Sequence, residues 1–230
     1  SNLGNYDMER LFHWSHMADD LGVDSISLGG VIGYAMEAIQ RGLLEGDVAF
    51  GRSEGVEELI EDIAFRRGLG AKLAQGVRPL SERIGGEEFA IHVKGLELPA
   101  YDPRGCYGQG LEYATTNRGG CHIQGATMFL EAAGPVSVDP HSILAKPELV
   151  MMQQNLFASL ASMVMCCFSA YAMIPPIVFK LDPHGFLYKA AMKAILNSGP
   201  LLRIVLSQKA PLPLLWFEKY LSQAFGRTIT

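Results

Sequence analysis

The chain has 230 residues, 49% of them hydrophobic, and carries 19 Lys plus Arg against 24 Asp plus Glu. A chain of this length can bury a sizeable core, as one large domain or two small ones, without disulfides or structural metals. Its net charge of -5 does not indicate the basic surface that binds phosphate backbones, so nucleic acid is not a predicted partner.

Four cysteines, at positions 106, 121, 166 and 167, form no CxxC pair and no disulfide-rich spacing. That pattern is typical of a reducing compartment. The first ten residues, SNLGNYDMER, have neither the basic start nor the apolar run of a signal peptide. The sequence therefore predicts a cytoplasmic location.

Most of the chain has apolar residues at helical rather than alternating spacing. A first helix is expected over about residues 7–21, with Gly22 as its C-terminal stop, and a second over about residues 28–43. Three glycines lie in the second helix: Gly29, Gly30 and Gly33. Because glycine is a poor helix former, they predict that another segment packs closely against the first turn of that helix.

Further along, Ser53 is the predicted N-cap of an amphipathic helix that runs through Arg67. The segment Phe89 to Val93 is the best strand candidate, and residues 94–105, which contain two prolines, should be extended or turn-like. The predicted fold class is therefore mainly α, with at most a minor strand near residues 89–94.

Helix is predicted again over residues 108–117 and 122–132. Pro135, Pro140 and Pro147 then mark a linker, followed by a long apolar helix and by shorter helices after Pro176. This order predicts two packed helical domains, residues 1–135 and 136–230.

The long apolar helix could in principle span a membrane. No charged residue occurs from Leu149 to Phe179, and residues 156–174 are long enough to cross a bilayer. The stretch also contains Gln153, Gln154 and Asn155 and lacks flanking basic clusters and an aromatic belt. We expect a central buried helix and no membrane contact; a membrane-embedded binding protein is the alternative.

Three segments contain residues that could carry chemistry. In the first, Asp19, Asp20 and Asp24 surround a predicted helix C-terminus, where the helix dipole disfavours negative charge. They form either a solvated acidic turn or a set of acceptors for a ligand rich in N–H donors, such as a reduced pterin.

The second segment, Tyr101 to His122, is dense in glycine and arginine. Arg118 or Arg104 could hold a phosphate or carboxylate in a two-pronged contact. His122 could donate to a developing oxyanion or shuttle a proton. Taken singly, each of these residues is more often a satisfied polar group.

The third segment places Cys166 and Cys167 in the middle of the predicted apolar helix. A cysteine there acts either as a small hydrophobe or as a thiolate ligand of an iron–sulfur cluster. Neighbouring residues on a helix point in different directions, so at most one of the two should face a given site.

In this order, the three segments resemble the aldehyde:ferredoxin oxidoreductase family of tungsten or molybdenum enzymes. Asp19 to Asp24, followed by Ser25-Ile26-Ser27, matches the family's D-x-x-G-L-D motif and T-I-S-like phrase. Asp102 to His122 matches the block D-P-R-G…G-L-x-Y-A-T-x-N-R-G-x-x-H. Ala161 to Phe168 aligns with D-S-L-x-x-C-x-F. The resemblance covers nearly the whole chain and is loose after about Pro176.

The resemblance implies the two C-terminal helical domains of an enzyme that oxidises aldehydes to carboxylic acids. The reaction would occur at a tungsten or molybdenum centre held by two pterins, and electrons would leave through a [4Fe-4S] cluster to ferredoxin. His122 would be the catalytic hydrogen-bond donor or proton shuttle, and Cys166 a ligand of the cluster. The residues implied in cofactor binding are Asp19, Gly22, Val23, Asp24, Arg118, Ser162 and Met165.

Two departures from the family pattern matter: Ala161 replaces an aspartate, and Gln124 replaces a frequent lysine. The family's N-terminal pterin domain and CxxCxxxC ligands would precede Ser1, and a [4Fe-4S] cluster needs four thiolates. We therefore expect the chain alone to be inactive and to need that domain or a partner subunit. The sequence does not decide whether the chain forms a homodimer. The alternative is a divergent or non-catalytic relative that has lost aldehyde chemistry.

Overall fold

The computed structural model describes residues 2–133 and 138–167, together with Phe186 and Ala190. Over these residues the fold is mainly α, as predicted, with one small antiparallel sheet. The elements are α1 Met8–Asp20, α2 Ser25–Gln40, α3 Val56–Phe65, α4 Gly68–Leu73, α5 Val77–Ile84, β1 His92–Val93, β2 Leu96–Glu97, α6 Tyr107–Thr115 and α7 Lys146–Ser162.

The chain divides into two compact units. The first comprises Ser1–Tyr101 and Tyr113–Cys121, and the second comprises Asp102–Glu112 and His122–Thr230. The predicted domain boundary between residues 135 and 136 lies within the range of the second unit and stays a prediction.

The core of the first unit is built around α2, which is apolar on most of its surface. Its buried residues are Leu28, Val31, Ile32, Tyr34, Ala35, Met36 and Ala38. Trp14 and Ala18 of α1 and Ile60 and Ile63 of α3 belong to the same buried cluster. Tyr34 also donates a hydrogen bond to the carbonyl of Gly85, 2.5 Å away, which satisfies its hydroxyl inside this core.

One of the glycines in α2 marks a close contact, as the sequence predicted. A Cβ atom on Gly30 would lie 2.8 Å from the Cβ of Glu97. Glu97 is buried, and its Oε1 accepts a hydrogen bond of 2.7 Å from the backbone N–H of Val77, the first residue of α5. The carboxylate therefore serves α5 as an N-terminal cap while its stem packs on α2.

The prediction of Ser53 as an N-cap is wrong. α3 begins at Val56, and its N-cap is Gly55, with a φ of 77°. The hydroxyl of Ser53 instead accepts a hydrogen bond of 2.9 Å from the side chain of the buried Asn5. The left-handed backbone of Gly55 takes up the turn that leads into the helix.

The strand predicted at residues 89–93 is confirmed only at His92–Val93. Phe89 ends a 3₁₀ turn, Glu87–Phe89, and stacks on Tyr34 with ring centroids 5.2 Å apart. β1 pairs with β2 around a two-residue turn, Lys94 and Gly95, with φ of 56° and 87°. Two positive φ angles match the twist of a tight hairpin.

In the second unit, the single helix predicted over residues 122–132 is wrong. The segment forms a 3₁₀ turn at His122–Gln124 and a π-helical turn at Phe129–Ala133. Between them, Ala126 has a φ of 52°, which a right-handed helix cannot contain. The backbone N–H groups of residues 126–128 donate to side chains of α6 instead of to a helix of their own.

The apolar helix is shorter than predicted. α7 begins at Lys146, with Pro147 in its first turn, where a missing N–H does no harm. It ends at Ser162, and Val164 follows with a φ of 57°. Cys166 and Cys167 thus lie beyond the helix, so their predicted place in its middle is wrong.

No helix within the described ranges is long and apolar enough to cross a membrane. The part of the apolar run after residue 167 lies outside the described residues. So do the shorter helices predicted after Pro176, apart from Phe186 and Ala190, which are both helical.

Candidate functional site

The first candidate segment is a tight junction between α1 and α2. At the end of α1, the N–H of Gly22 donates to the carbonyl of Asp19 (3.1 Å), and the N–H of Val23 donates to that of Ala18 (2.8 Å). This pair of bonds is the Schellman motif, which needs a left-handed residue, and Gly22 has a φ of 69°. The glycine of the motif therefore terminates α1.

Asp24 begins the next helix. Its Oδ1 accepts a hydrogen bond of 2.8 Å from the backbone N–H of Ser27, so it is the N-cap of α2. The expectation of three carboxylates crowding a helix C-terminus is wrong for Asp24, because its charge lies at the favourable end of the following helix.

The same junction is open to a ligand. Asp19, Gly22 and Asp24 are all exposed, whereas Val23 is half-buried and packs against the core. Apart from Gly22 and its two chain neighbours, no atom of the described residues lies within 4 Å of the position that a Cβ on Gly22 would take. An exposed carboxylate beside open backbone is an acceptor that a ligand with N–H donors can reach.

Arg118 lies on a segment that is fixed against the β1–β2 hairpin. The N–H of Gly120 donates to the carbonyl of Val93 (3.2 Å), and Lys94 Nζ donates to the carbonyl of Thr116 (2.6 Å) at the end of α6. Arg118 itself is exposed, and its Nη1 lies 3.8 Å from the sulfur of the buried Cys121. The hairpin thus supports a short loop that presents Arg118 to solvent.

Of the two arginines that could hold an anion, Arg104 is already paired. Its Nη2 lies 2.6 Å from Oδ2 of Asp102, and its Nε lies 3.0 Å from Oδ1. The guanidinium holds the pKa of the Asp102 carboxyl below its usual value. Arg118, which makes no such pair among the described residues, remains the candidate for a phosphate or carboxylate.

His122 is the first residue of the 3₁₀ turn His122–Gln124 and is half-buried. The turn packs against α7 in the second unit. The next residues, Gly125 to Met128, are buried. His122 is therefore held at the edge of a packed region, with part of its surface accessible.

Sequence reasoning missed a buried polar network behind this turn. Glu112 accepts hydrogen bonds from the N–H groups of Ala126 (3.2 Å) and Thr127 (3.0 Å) and from the Thr127 hydroxyl (2.8 Å). Gln109 Oε1 accepts from the N–H of Met128 (3.1 Å). Side chains of α6 therefore replace the backbone partners that these N–H groups lack.

A second buried carboxylate completes the network. Glu131 accepts from the N–H groups of Gly108 (2.8 Å) and Gln109 (3.0 Å) at the start of α6, and it forms a buried ion pair with Lys146. Lys146 Nζ also donates to the carbonyl of Asp139 (2.8 Å). No periodicity in the sequence links these residues, so the only available signal was the presence of charge in an apolar region.

Burial raises the pKa of the Glu112 carboxyl, while the hydrogen bonds from Thr127 and Ala126 oppose that rise. The side chain is fully buried. Desolvation disfavours the charged form of any carboxyl, and here it exceeds the effect of the donors.

The third segment lies at the end of α7. The hydroxyl of Ser162 donates to the carbonyl of Ala158 (2.8 Å), and the N–H of Met165 donates to that of Leu160 (3.0 Å). Ala161, Ser162 and Cys166 are exposed, and Met165 is half-buried. Across the described ranges, no group of three or more His, Cys, Asp or Glu side chains is arranged to hold a metal ion.

The predicted site residues therefore fall into two sets. Asp19, Gly22, Val23, Asp24 and Arg118 belong to the first unit, and His122, Ser162, Met165 and Cys166 belong to the second. The exposed members of the two sets are Asp19, Gly22, Asp24, Arg118, Ser162 and Cys166. The side chains of Asp24 and Ser162 already make local hydrogen bonds with the backbone.

Comparison with known proteins agrees with these motifs. The family description "Aldehyde ferredoxin oxidoreductase, domains 2 & 3" matches residues 1–198. The chain is 40% identical over 182 residues to the tungsten-containing aldehyde ferredoxin oxidoreductase of Thermococcus kodakarensis, and 41% identical over 182 residues to that of Pyrococcus furiosus. Each of these matches covers 75% of this chain and 30% of the relative.

A more distant match is the "Aliphatic sulfonate oxidoreductase, WOR-like subunit" of Pyrococcus furiosus. It is 30% identical over 141 residues, which cover 56% of this chain and 23% of the relative. The chain belongs to the aldehyde ferredoxin oxidoreductase family and corresponds to domains 2 and 3 of that family. It spans about 30% of the length of the first relatives that it matches.

Proposed function

We propose that this chain forms the helical part of an enzyme that oxidises an aldehyde to a carboxylic acid. In that reaction the aldehyde and one water yield the acid, two protons and two electrons. The bound group, a tungsten or molybdenum ion held by two pterins, would supply the two-electron redox chemistry. The observation that carries the proposal is the α1–α2 junction, where Asp19, Gly22 and Asp24 of the family motif are all present and exposed.

In the first unit, Asp19, Gly22, Val23 and Asp24 would bind one pterin. Asp19 would accept hydrogen bonds from ring N–H groups, and the open backbone at Gly22 would allow the ring to approach closely. Asp24 would contribute mainly through its backbone, because its Oδ1 already caps α2. Arg118 would hold a phosphate or carboxylate of the cofactor or substrate.

In the second unit, His122 would donate a hydrogen bond to the developing carboxylate or move one of the two protons. An imidazole suits this task, since its ordinary pKa near 6.5 allows both protonation states around neutral pH. Partial burial would keep the ring oriented while leaving one face for substrate.

Near the end of α7, Ser162 and Met165 would contact the second pterin, and Cys166 would be a thiolate ligand of a [4Fe-4S] cluster. The exposed Cys166 lies on irregular backbone after the helix, where a ligand can reach a cluster without distorting a helix. Three further thiolates would come from another segment or subunit. Electrons would then pass to ferredoxin.

The test uses the full-length gene product expressed anaerobically with tungstate or molybdate. We expect bound metal, iron and aldehyde-dependent reduction of a viologen dye. Asp19→Asn should lower the metal content, and Cys166→Ser should lower the iron content. A well-folded product that takes up neither metal would contradict the proposal.

A second candidate function is that of a divergent or non-catalytic subunit. Ala161 and Gln124, both exposed, occupy positions where the family pattern has an aspartate and a frequent lysine, and one relative is itself described as a subunit. Ala161→Asp decides between the two. The exposed site accepts a carboxylate, so the variant should raise cofactor occupancy in an aldehyde-oxidising enzyme and leave it unchanged in a non-catalytic subunit.

A further inference from the structure

We infer that Glu112 is a positioning residue for His122: its buried carboxylate fixes the backbone that follows the His122 turn. The inference deepens the proposed function, because it rests on the proposed role of His122 in handling a proton of the reaction. Glu112 would touch neither substrate nor cofactor and would act only through the conformation of residues 122–128.

The contacts are all within the second unit. Both oxygens of Glu112 are used: Oε1 accepts from the N–H of Ala126 (3.2 Å), and Oε2 accepts from the N–H (3.0 Å) and hydroxyl (2.8 Å) of Thr127. Glu112 and Thr127 are fully buried, so no water competes with these bonds. A single carboxylate thereby determines where the chain runs four and five residues after His122.

Side chains of α6 and α7 confine the segment after the His122 turn from both sides. A Cβ on Gly125 would lie 3.1 Å from Oε2 of Glu112 and 3.3 Å from the Cβ of Gln153 on α7. The backbone therefore runs between two side chains with little free room. Next to it, Ala126 has a φ of 52°, an unfavourable conformation for alanine that persists only where the surroundings enforce it. The two hydrogen-bonded N–H groups provide that enforcement.

A carboxylate is required for this arrangement. In the variant Glu112→Gln, the new side chain would keep the shape of the glutamate but would have only one acceptor oxygen, so one donor of the 126–127 segment would face an amide NH2 group. We expect the backbone of residues 126–127 to open more often, and the His122 turn to open with it. The packing of α6 should not change. Catalysis is sensitive to small displacements of the reacting groups, so a misplaced imidazole slows the reaction.

The first test measures the turn itself and needs no activity. Hydrogen–deuterium exchange of the full-length gene product should show faster exchange in peptides covering residues 122–128 for E112Q than for wild type. T127V, which removes only the hydroxyl donor, should give a smaller increase, and T127S, which keeps the hydroxyl, should behave as wild type. The matched control is E97Q, a buried carboxylate of the first unit that holds Val77 instead.

The second test asks whether the effect passes through His122. In the metal-loaded enzyme, E112Q should lower kcat roughly 10- to 100-fold, with KM for the aldehyde and metal content unchanged. The double variant E112Q/H122N should be no slower than H122N alone, because residues that act through one group are not additive. E97Q should leave kcat at the wild-type value.

The outcomes separate this inference from the proposed function. Wild-type exchange in residues 122–128 of E112Q would overturn the inference, and so would a kcat loss that multiplies with that of H122N. A loaded wild-type protein that oxidises no aldehyde would overturn the proposed function. The exchange measurement would then still decide whether Glu112 fixes the His122 turn.

Discussion

Gly120 lies directly against the hairpin strand that contains Leu96. A Cβ on Gly120 would be 2.7 Å from the carbonyl oxygen of Leu96 and 2.6 Å from the Leu98 side chain. The neighbouring Gly119 has a φ of 104°, and its Cβ would be 2.3 Å from the carbonyl oxygen of Val93. The loop that contains Arg118 is therefore packed against main-chain carbonyl groups, which cannot move aside as a flexible side chain could.

The first prediction follows from this contact. Gly120→Ala should lower the free energy of unfolding by roughly 1–3 kcal/mol, the usual cost of inserting a methyl group into a packed site. It should also weaken any anion binding that depends on Arg118. Urea unfolding followed by circular dichroism measures the first effect. Wild-type stability for this variant would show that the loop is not packed as described.

A matched pair in α2 tests the second close contact. Gly30→Ala should destabilise the protein by roughly 1–3 kcal/mol, because its Cβ would meet Glu97 at 2.8 Å. Gly29→Ala, one residue earlier, should be neutral or stabilising by up to about 1 kcal/mol, since alanine is the better helix former. Its nearest neighbour would be Asn2 Nδ2, 3.9 Å away. Equal effects for the two variants would contradict the packing of α2 on Glu97.

Variants of Asp24 and Asp19 distinguish a residue that caps a helix from one proposed to bind the cofactor. Asp24→Ala should cost about 1 kcal/mol, because α2 loses its N-cap, and Asp24→Asn should cost much less, because asparagine caps equally well. Asp19→Ala should leave the free energy of unfolding nearly unchanged, since Asp19 is exposed and caps no helix in the described structure. Thermal unfolding of the three variants provides the comparison, and a larger loss at Asp19 than at Asp24 would reverse the assignment.

These cases show what the sequence could and could not predict. Gly22 and the glycines of α2 were informative because positive φ and close packing have few alternatives to glycine. The helix predicted over residues 122–132 failed because apolar spacing gives no sign that Glu112 and Gln109 take up the N–H groups of residues 126–128. Cys166 was placed in a helix because an uncharged run continues past Ser162 without a residue that marks the end of α7.

The buried ion pair gives the next prediction. Lys146→Met should destabilise the protein by about 3 kcal/mol, because removing one partner of a buried ion pair leaves the other without its compensating group. The N–H groups of Gly108 and Gln109 would still donate to the carboxylate but would not neutralise it. The double variant E131Q/K146M should be less destabilised than the sum of the two single variants. Additive losses in urea unfolding would show that the two side chains are not coupled.

Glu112 should make stability depend on pH. Its pKa is raised in the folded protein, so above pH 4.5 the unfolded chain releases this proton before the folded chain does. Stability should therefore fall as pH rises from about 4.5 through the raised pKa. Glu112→Gln should remove this part of the slope in a series of unfolding curves. An unchanged slope would show that another group is responsible.

The central claim is that this chain belongs to a working aldehyde-oxidising enzyme, and electron stoichiometry tests it most directly. The anaerobically purified full-length gene product, loaded with tungsten or molybdenum, is mixed with an aldehyde and oxidised ferredoxin. The account predicts two one-electron reductions of ferredoxin for each molecule of carboxylic acid formed. Full metal occupancy with no acid produced and no ferredoxin reduced would contradict it.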